Sequence, residues 1–170
     1  MTVPSGVNKD AVCEDRLVQP YVVQRVAGKL LGVRAGKLKV MADWLNLSSG
    51  VRSVAKEIPG PIVICADYRQ LQVMHQDVVS PLLDEFRQFN SKVRRSALMM
   101  PSNAPTLRRQ MEALLREAHH SGRRVCVDAA EVKAWLSSCL DGPERHGLDE
   151  FIAASEHWSG LQSIAGRVTQ

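Results

Sequence analysis

A chain of 170 residues suits one domain of ordinary size, which on folding buries roughly 70% of the surface its unfolded form exposes and needs no disulfide or metal to hold it together. With 45% hydrophobic and 24% charged residues the composition excludes disorder along most of the length, and 5% aromatics leave the core to aliphatic side chains. The formal charge of +4 is split between two blocks: from Lys92 to Arg124 eight basic residues face two acids, a net of +6, and from Asp128 to His157 seven acids face two basic residues, a net of −5. Such asymmetry speaks of partners, because either an anionic molecule meets the basic block or the acidic block folds back on it.

Residues 1–14 are small and polar and read as a flexible arm. Val18, Val22, Val23 and Val26 predict a first strand over Leu17–Val26, which Pro20 confines to an edge or a bulge. Lys37–Trp44 alternates at its start and predicts a second strand, paired with the first across Gly28–Gly36, while a helix over the same residues competes. Ser48 or Ser49 can cap a short helix that reaches Ile58 before Pro59 and Gly60 stop it. Ile62–Ala66, an unbroken apolar run closed by Asp67, has the pattern of a strand buried on both faces at the centre of a sheet.

Val78, Val79, Leu82, Leu83 and Phe86 then trace one helical face, and Pro81 restricts where that helix begins. With Ser80 as its cap the proline falls at the first helical position, whereas an earlier start demands a kink. Lys92–Met100 is a strand closed by Pro101, and Leu107, Met111, Leu114, Leu115 and Ala118 make an amphipathic helix with Arg108, Arg109 and Arg116 off its apolar side. Gly122 ends it, Arg123–Val127 is a strand, and Asp128 caps a helix bearing Val132, Trp135, Leu136, Cys139 and Leu140 that stops at Gly142 and Pro143. A last segment, Leu148–Trp158, carries Leu148, Phe151, Ile152 and Ser155 on one side.

Strands alternating with helices imply right-handed crossovers and an α/β fold, a mixed, mostly parallel sheet of four or five strands with helices packed on it. Ile62–Ala66, Val93–Met99 and Val125–Val127 are the expected inner strands. The domain is expected over residues 15–142, followed by a C-terminal helical tail over residues 143–170. A short helix is marginal in water without a surface to cover. The basic block makes the helix carrying Arg108 and Arg109 the expected dock for this tail, in the same molecule or in a homodimer.

This order, a hairpin followed by α-β-α-β-α-β-α, joined to the run from Val125-Cys126-Val127-Asp128 to Trp135-Leu136, resembles the STAS-like domains of bacterial anti-sigma factor antagonists over about residues 16–140. The resemblance implies regulation and signalling through protein contacts. Regulatory members of that family cap the helix after the central strand with an Asp-Ser pair and phosphorylate the serine; here His75 and Gln76 stand at those positions, and neither takes phosphate as serine does. Ser80, four residues on, is the candidate for a displaced phosphosite.

The four cysteines, Cys13, Cys65, Cys126 and Cys139, form no C-x-x-C pair and read as reduced, buried thiols. The N-terminus has no signal-peptide core, and no run approaches the roughly 20 apolar residues of a membrane span, so a cytoplasmic protein is expected. Cys65, Asp67 and Arg69 follow the central strand, where α/β sites collect, and form the candidate site of a small enzyme or ligand-binding protein. A reactive thiolate there would need a lowered pKa, and a core cysteine is the plainer reading. His75, His119, His120, His146 and His157 include no pair at i, i+4, and phosphate-loop, dinucleotide and nucleophile-elbow motifs do not occur, so no metal or other cofactor is expected.

The pairs Arg94-Arg95, Arg108-Arg109 and Arg123-Arg124 read first as a solvated face, next as a surface for an acidic protein and last as a nucleic-acid site, for which interleaved aromatics are missing. The expected function is that of a non-enzymatic regulatory or scaffold protein. Its candidate partner-binding residues are Arg94, Arg95, Arg108, Arg109, Phe151 and Ile152.

Overall fold

The computed structural model describes residues 20–38 and 40–165, with side chains as far as Trp158. The expected arm, Cys13 and the first residues of the expected first strand lie outside these. Strands β1 (Tyr21–Ala27), β2 (Leu30–Ala35), β3 (Ile62–Asp67), β4 (Val93–Met99) and β5 (Arg123–Cys126) stand side by side in chain order. β1 and β2 are antiparallel and every later pair is parallel, which gives the mixed, mostly parallel sheet expected of the sequence. Helices α1 (Met41–Lys56), α2 (Gln76–Phe89) and α3 (Pro105–Glu117) connect the parallel strands, and α4 (Ala129–Leu136) and α5 (Gly142–Ala165) follow the last of them.

Strands laid in sequence order by crossovers of one hand send every connecting helix to the same side of the sheet. Ile62, Ile64 and Ala66 of β3 accordingly join a core with Leu47 and Ala55 of α1, Val78 of α2 and Leu107, Met111 and Leu114 of α3. Val63 and Cys65, pointing the other way, join a second core with Val132 and Leu136 of α4 and Leu148, Phe151 and Ile152 of α5. β3 is therefore the central strand and is buried on both faces along its whole length.

Several expected elements lie elsewhere. The second strand is Leu30–Ala35, not Lys37–Trp44, and α1 begins at Met41, seven residues before the expected serine cap. β2 escaped notice because an inner strand packed on both faces shows no alternation and because Gly32 interrupts its apolar run. That glycine has a tertiary reason: a Cβ there would stand 2.5 Å from the Phe151 ring. Gly28, at φ +48°, makes the tight β1–β2 turn, and the Gly36 amide donates to the Pro20 carbonyl at the open end of the hairpin (2.6 Å). At the start of α1, Asp43 Oδ2 accepts from the Val40 amide (3.2 Å).

β5 is an edge strand, although Val125–Val127 was expected inside, because the described residues beyond it form helices and no sixth strand to cover it. α2 starts at Gln76 and runs through Pro81, which removes the amide that would have bonded to the Asp77 carbonyl. α5 starts at Gly142, where Asp141 Oδ1 accepts from the Glu144 amide (2.9 Å) and Glu144 Oε2 accepts from the Asp141 amide (3.1 Å). Gly142 and Pro143 were expected to stop the preceding helix and the last segment to begin at Leu148; instead α4 ends at Leu136 and the two residues open α5, because Asp141 and Glu144 form this reciprocal D-x-x-E cap. No helix among the described residues is long and apolar enough to cross a membrane.

Candidate functional site

The end of β3 brings Asp67 and Arg69 together and satisfies both. Asp67 is 2% exposed, and its carboxylate accepts from Arg69 Nε (3.0 Å), Arg69 Nη2 (2.9 Å) and the Arg69 amide (3.1 Å). The bidentate bond to Asp67 raises the Arg69 pKa further above its ordinary value. Cys65, two residues before Asp67 and on the same face of β3, points into the second core, fully buried between Gly32 and Ala97, and burial pushes its thiol pKa up, with Asp67 and Cys126 adding to the shift. It is a core thiol that holds its proton. A shallow groove of about 600 Å³ lies nearby, between Arg69, Pro101, Asn103, Asp128 and Glu156. The first turn of α4 at its rim is already capped, by Asp128 Oδ1 on the Glu131 amide (2.8 Å) and Glu131 Oε2 on the Val127 amide (3.0 Å).

Sequence reasoning missed Arg34, the register partner of Asp67 on β2. Its guanidinium lies 4.3 Å from the centre of the Phe151 ring and donates to Ser155 Oγ (2.7 Å) and the Phe151 carbonyl (2.9 Å). Burial lowers its pKa, and the neighbouring Asp67 opposes the shift. Arg34 thus clamps α5 to β2. Phe151 and Ile152, each 3% exposed, belong to this chain's own second core. α5 docks on β1 and β2, on the side of the sheet opposite α3, so the expected dock beside Arg108 and Arg109 is not used. A homodimer through Phe151 and Ile152 would first have to lift this helix away.

The other candidate partner-binding residues do not form one patch. Arg94 and Arg109 are exposed, and Arg108 reaches Glu112 one turn on (3.7 Å). Arg95 lies flat on Trp135 (4.3 Å to the ring centre) and donates to the Trp135 carbonyl and Ser138 Oγ, both at 2.7 Å, so it closes α4 onto β4. Ser80 is exposed on α2 but sits within the helix and not at its cap.

What the fold does bring together is a groove of about 680 Å³ along β5, lined by Leu115, Arg116, His119, His120, Arg123, Arg124, Val125 and a single carboxylate, Glu112. His119 ends α3 with φ +54°, a left-handed stop taken here by a non-glycine residue. His120 is fixed by its two ring nitrogens: Nδ1 accepts from the Gly122 amide (3.1 Å), so Nε2 donates to the Val93 carbonyl (2.9 Å). The signal was present in the doublets His119-His120 and Arg123-Arg124. Only the strand order shows that they flank an open edge.

A third concavity, of about 70 Å³, lies under α1 and α2 against the sheet. Its walls are mostly apolar, from Val33, Leu47, Ile64, Leu82 and Phe89, with Ser96, Tyr68 and Arg123 among them. Arg52 of α1 and Glu85 of α2 form an ion pair across its outer side, and Ser48 Oγ donates to Glu85 (3.0 Å). Burial pushes the Tyr68 hydroxyl up to about 12. Among the described residues no group of three His, Cys, Asp or Glu converges as a metal site would require. No family model matches the chain, and no curated protein does either.

Proposed function

We propose that this chain is a non-enzymatic, STAS-like interaction domain, a regulatory or scaffold protein that holds an acidic segment of another protein along the edge of its sheet. The observation that carries the reading is the β5 groove, where three arginines face one carboxylate beside an edge strand. An exposed edge offers backbone donors and acceptors to an extended peptide, and the arginines favour one that carries Asp or Glu. Backbone pairing with contact to Leu115 and Val125 supplies most of the affinity. Exposed ion pairs add at most about 1 kcal/mol each and act chiefly on orientation and association rate.

Two further observations support the reading. Cys65 and Asp67, the groups best placed for chemistry, are respectively buried and bound by Arg69. The groove has no Phe, Tyr or Trp on which a nucleic-acid base could stack. A cytoplasmic setting is part of the proposal and draws on the free, buried state of Cys65, Cys126 and Cys139.

The experiment is affinity capture with wild-type protein and with the double variant Arg116→Glu, Arg124→Glu, followed by mass spectrometry and cross-linking of the recovered partner. The expected result is a partner lost on charge reversal, weakened by salt, and cross-linked to β5 through an acidic segment. A partner that binds both proteins equally, or cross-links that map elsewhere, would refute the assignment.

A further inference from the structure

The open edge of β5 offers less backbone than the strand contains. The Ser96 amide donates to the Gly122 carbonyl (2.8 Å) and the Met100 amide to the Cys126 carbonyl (2.9 Å). In this parallel register Arg124 and Cys126 bond to β4, while Arg123 and Val125 turn their backbone groups outward. At one end the Arg123 amide is taken by the His120 carbonyl (3.2 Å), within the turn that His119 opens at φ +54°. Past the other end the Val127 amide is taken by the Glu131 carboxylate (3.0 Å). Along β5, what is left to a partner is the Arg123 carbonyl and both backbone groups of Val125.

These groups would serve an added strand of either direction, and charge chooses between the two. α3 runs back against the strands, so Arg116 in its last turn lies beside the start of β5, while Glu112 lies one turn further along and is paired with Arg108 (3.7 Å). The last carbonyls of α3, which would repel an anion here, are occupied: Arg87 donates to that of Glu117 (3.2 Å) and Asn90 to that of Ala118 (2.7 Å). Beyond the far end of β5 stand the exposed carboxylates of Asp128 and Glu131. The edge is therefore positive where β5 begins and negative where it ends. An antiparallel partner brings its C-terminal end to the positive side. Its residue opposite Val125 exchanges both backbone bonds, and the residue two further on donates its amide to the Arg123 carbonyl. A longer chain finds no ladder beyond that point, because His120 holds the Arg123 amide and the turn from His119 to Gly122 stands in line.

We propose that the β5 groove takes the free C-terminus of a partner chain, antiparallel to β5, with its last residue on the Arg123 carbonyl and its terminal carboxylate at the exposed Arg116. Side chains alternate along such a strand. The last and third-last therefore lie with Leu115 and Val125 and are apolar, and the one between them is Asp or Glu facing Arg124. Arg123, whose guanidinium is held by the Phe86 carbonyl (3.1 Å) and Asn90 Oδ1 (3.3 Å), contributes its field and not a contact. This inference rests on the groove being a partner site and narrows that partner to a chain end.

The probes are labelled peptides ending in Gly-Ser-Val-Glu-Val, one with a free carboxylate, one amidated and one extended by Gly-Ser, titrated into the full chain by fluorescence polarisation and amide NMR. The free acid is expected to bind with shifts centred on Arg123 to Val125, and the other two roughly fivefold more weakly, the effect of one exposed ion pair. In Arg116→Gln the acid and the amide should bind alike while the melting temperature stays that of wild type. A nitroxide on the first residue of the peptide should broaden the amides of Val127 to Ala130 and spare those of His119 to Ser121. Equal binding of all three peptides at β5, or broadening at His119 to Ser121, overturns the chain-end inference and leaves the groove as a site for an internal or reversed segment. Absence of binding at β5 by every peptide at millimolar concentration also overturns it, and the groove reading is then decided by whether the captured partner cross-links to β5.

Discussion

The two faces of the sheet are covered by different means. Over one, α1, α2 and α3 are the connections a parallel sheet requires, so each lies between the strands it covers and its apolar stripe follows from that position. Over the other, α4 and α5 come after the last strand, and α5 must return across the molecule to β1 and β2. The returning helix is held by specific fittings: the Phe151 ring seated on Gly32, the Arg34 clamp on Ser155 and the Phe151 carbonyl, and the Glu144 carboxylate accepting from the Lys29 amide (2.8 Å). A connecting helix is placed by topology; a returning one needs a seat.

The largest test of this contrast is removal of the returning helix. Truncation before Pro143 uncovers Leu30, Val63 and Cys65 and loses burial of Leu148, Phe151 and Ile152, at roughly 1.5–3 kcal/mol per side chain. That sum is comparable with the whole stability of a typical domain. The truncated chain is expected to lose cooperative thermal melting by circular dichroism, or to associate by light scattering. An unchanged melting temperature and mass would show α5 to be a passive extension.

Phe151→Ala should cost about 3–5 kcal/mol in denaturant titration, and Leu107→Ala on the opposite face about 2–5. What separates the faces is coupling to glycine. Gly32→Val should cost about 1–3 kcal/mol in the wild-type background through overpacking, and clearly less in the Phe151→Ala background, where the ring is gone. Additive costs would mean that the ring and the glycine are not seat and occupant.

Alkaline pH gives a smaller effect that starts on the same face, which holds Cys65, Cys126 and Cys139. Burial first, and Glu131 second, raise the Cys126 pKa from 9.0 to about 11, and Cys65 moves the same way. The unfolded chain therefore releases these protons first as pH rises: the contribution is whole below pH 9 and is lost between 9 and about 11. Tyr68 adds to the loss between 10 and about 12, while Arg123, depressed to about 10, acts in the opposite sense above pH 10. Melting temperature should begin to fall near pH 9, and Cys126→Ala should make the fall shallower. A curve that stays flat to pH 10 would contradict the burial of both thiols.

The smallest expected effect is at the β5 edge. Arg124→Glu should leave stability within about 0.5 kcal/mol, because Arg124 is exposed. A larger loss would mean that its contact with the Trp135 ring, 5.4 Å to the centre, matters to the fold.

This contrast also explains what could be read from residues alone. β3 was legible because Pro59, Gly60 and Pro61 fence an apolar run whose burial on both faces leaves no alternation to misread. α3 was legible from its spacing, and α4 from Asp128, whose side chain does cap it. Lys37–Trp44 misled because its alternation spans a loop and the first turn of a helix. Gly32 and Arg34 could not be assigned roles, since Phe151, which explains both, lies more than a hundred residues away. The β5 groove was only half visible: the charges are in the sequence, but the open edge beside them is a property of strand order.

The strand order has a consequence for how the chain is made. Synthesis proceeds at about 5–20 residues per second, so Phe151 leaves the ribosome's active centre roughly 6–24 s after Gly32, the glycine it will cover. Through that interval the hairpin and β3 can gather α1 and α2 on one side while the other side stays bare, with Leu30 and Val63 turned to solvent. Contacts of such sequence separation also form late in refolding, since loop closure must precede the gain they bring. The newborn chain therefore spends its most aggregation-prone seconds with half a core, and its final turn of folding is the return of a helix to the strands made first.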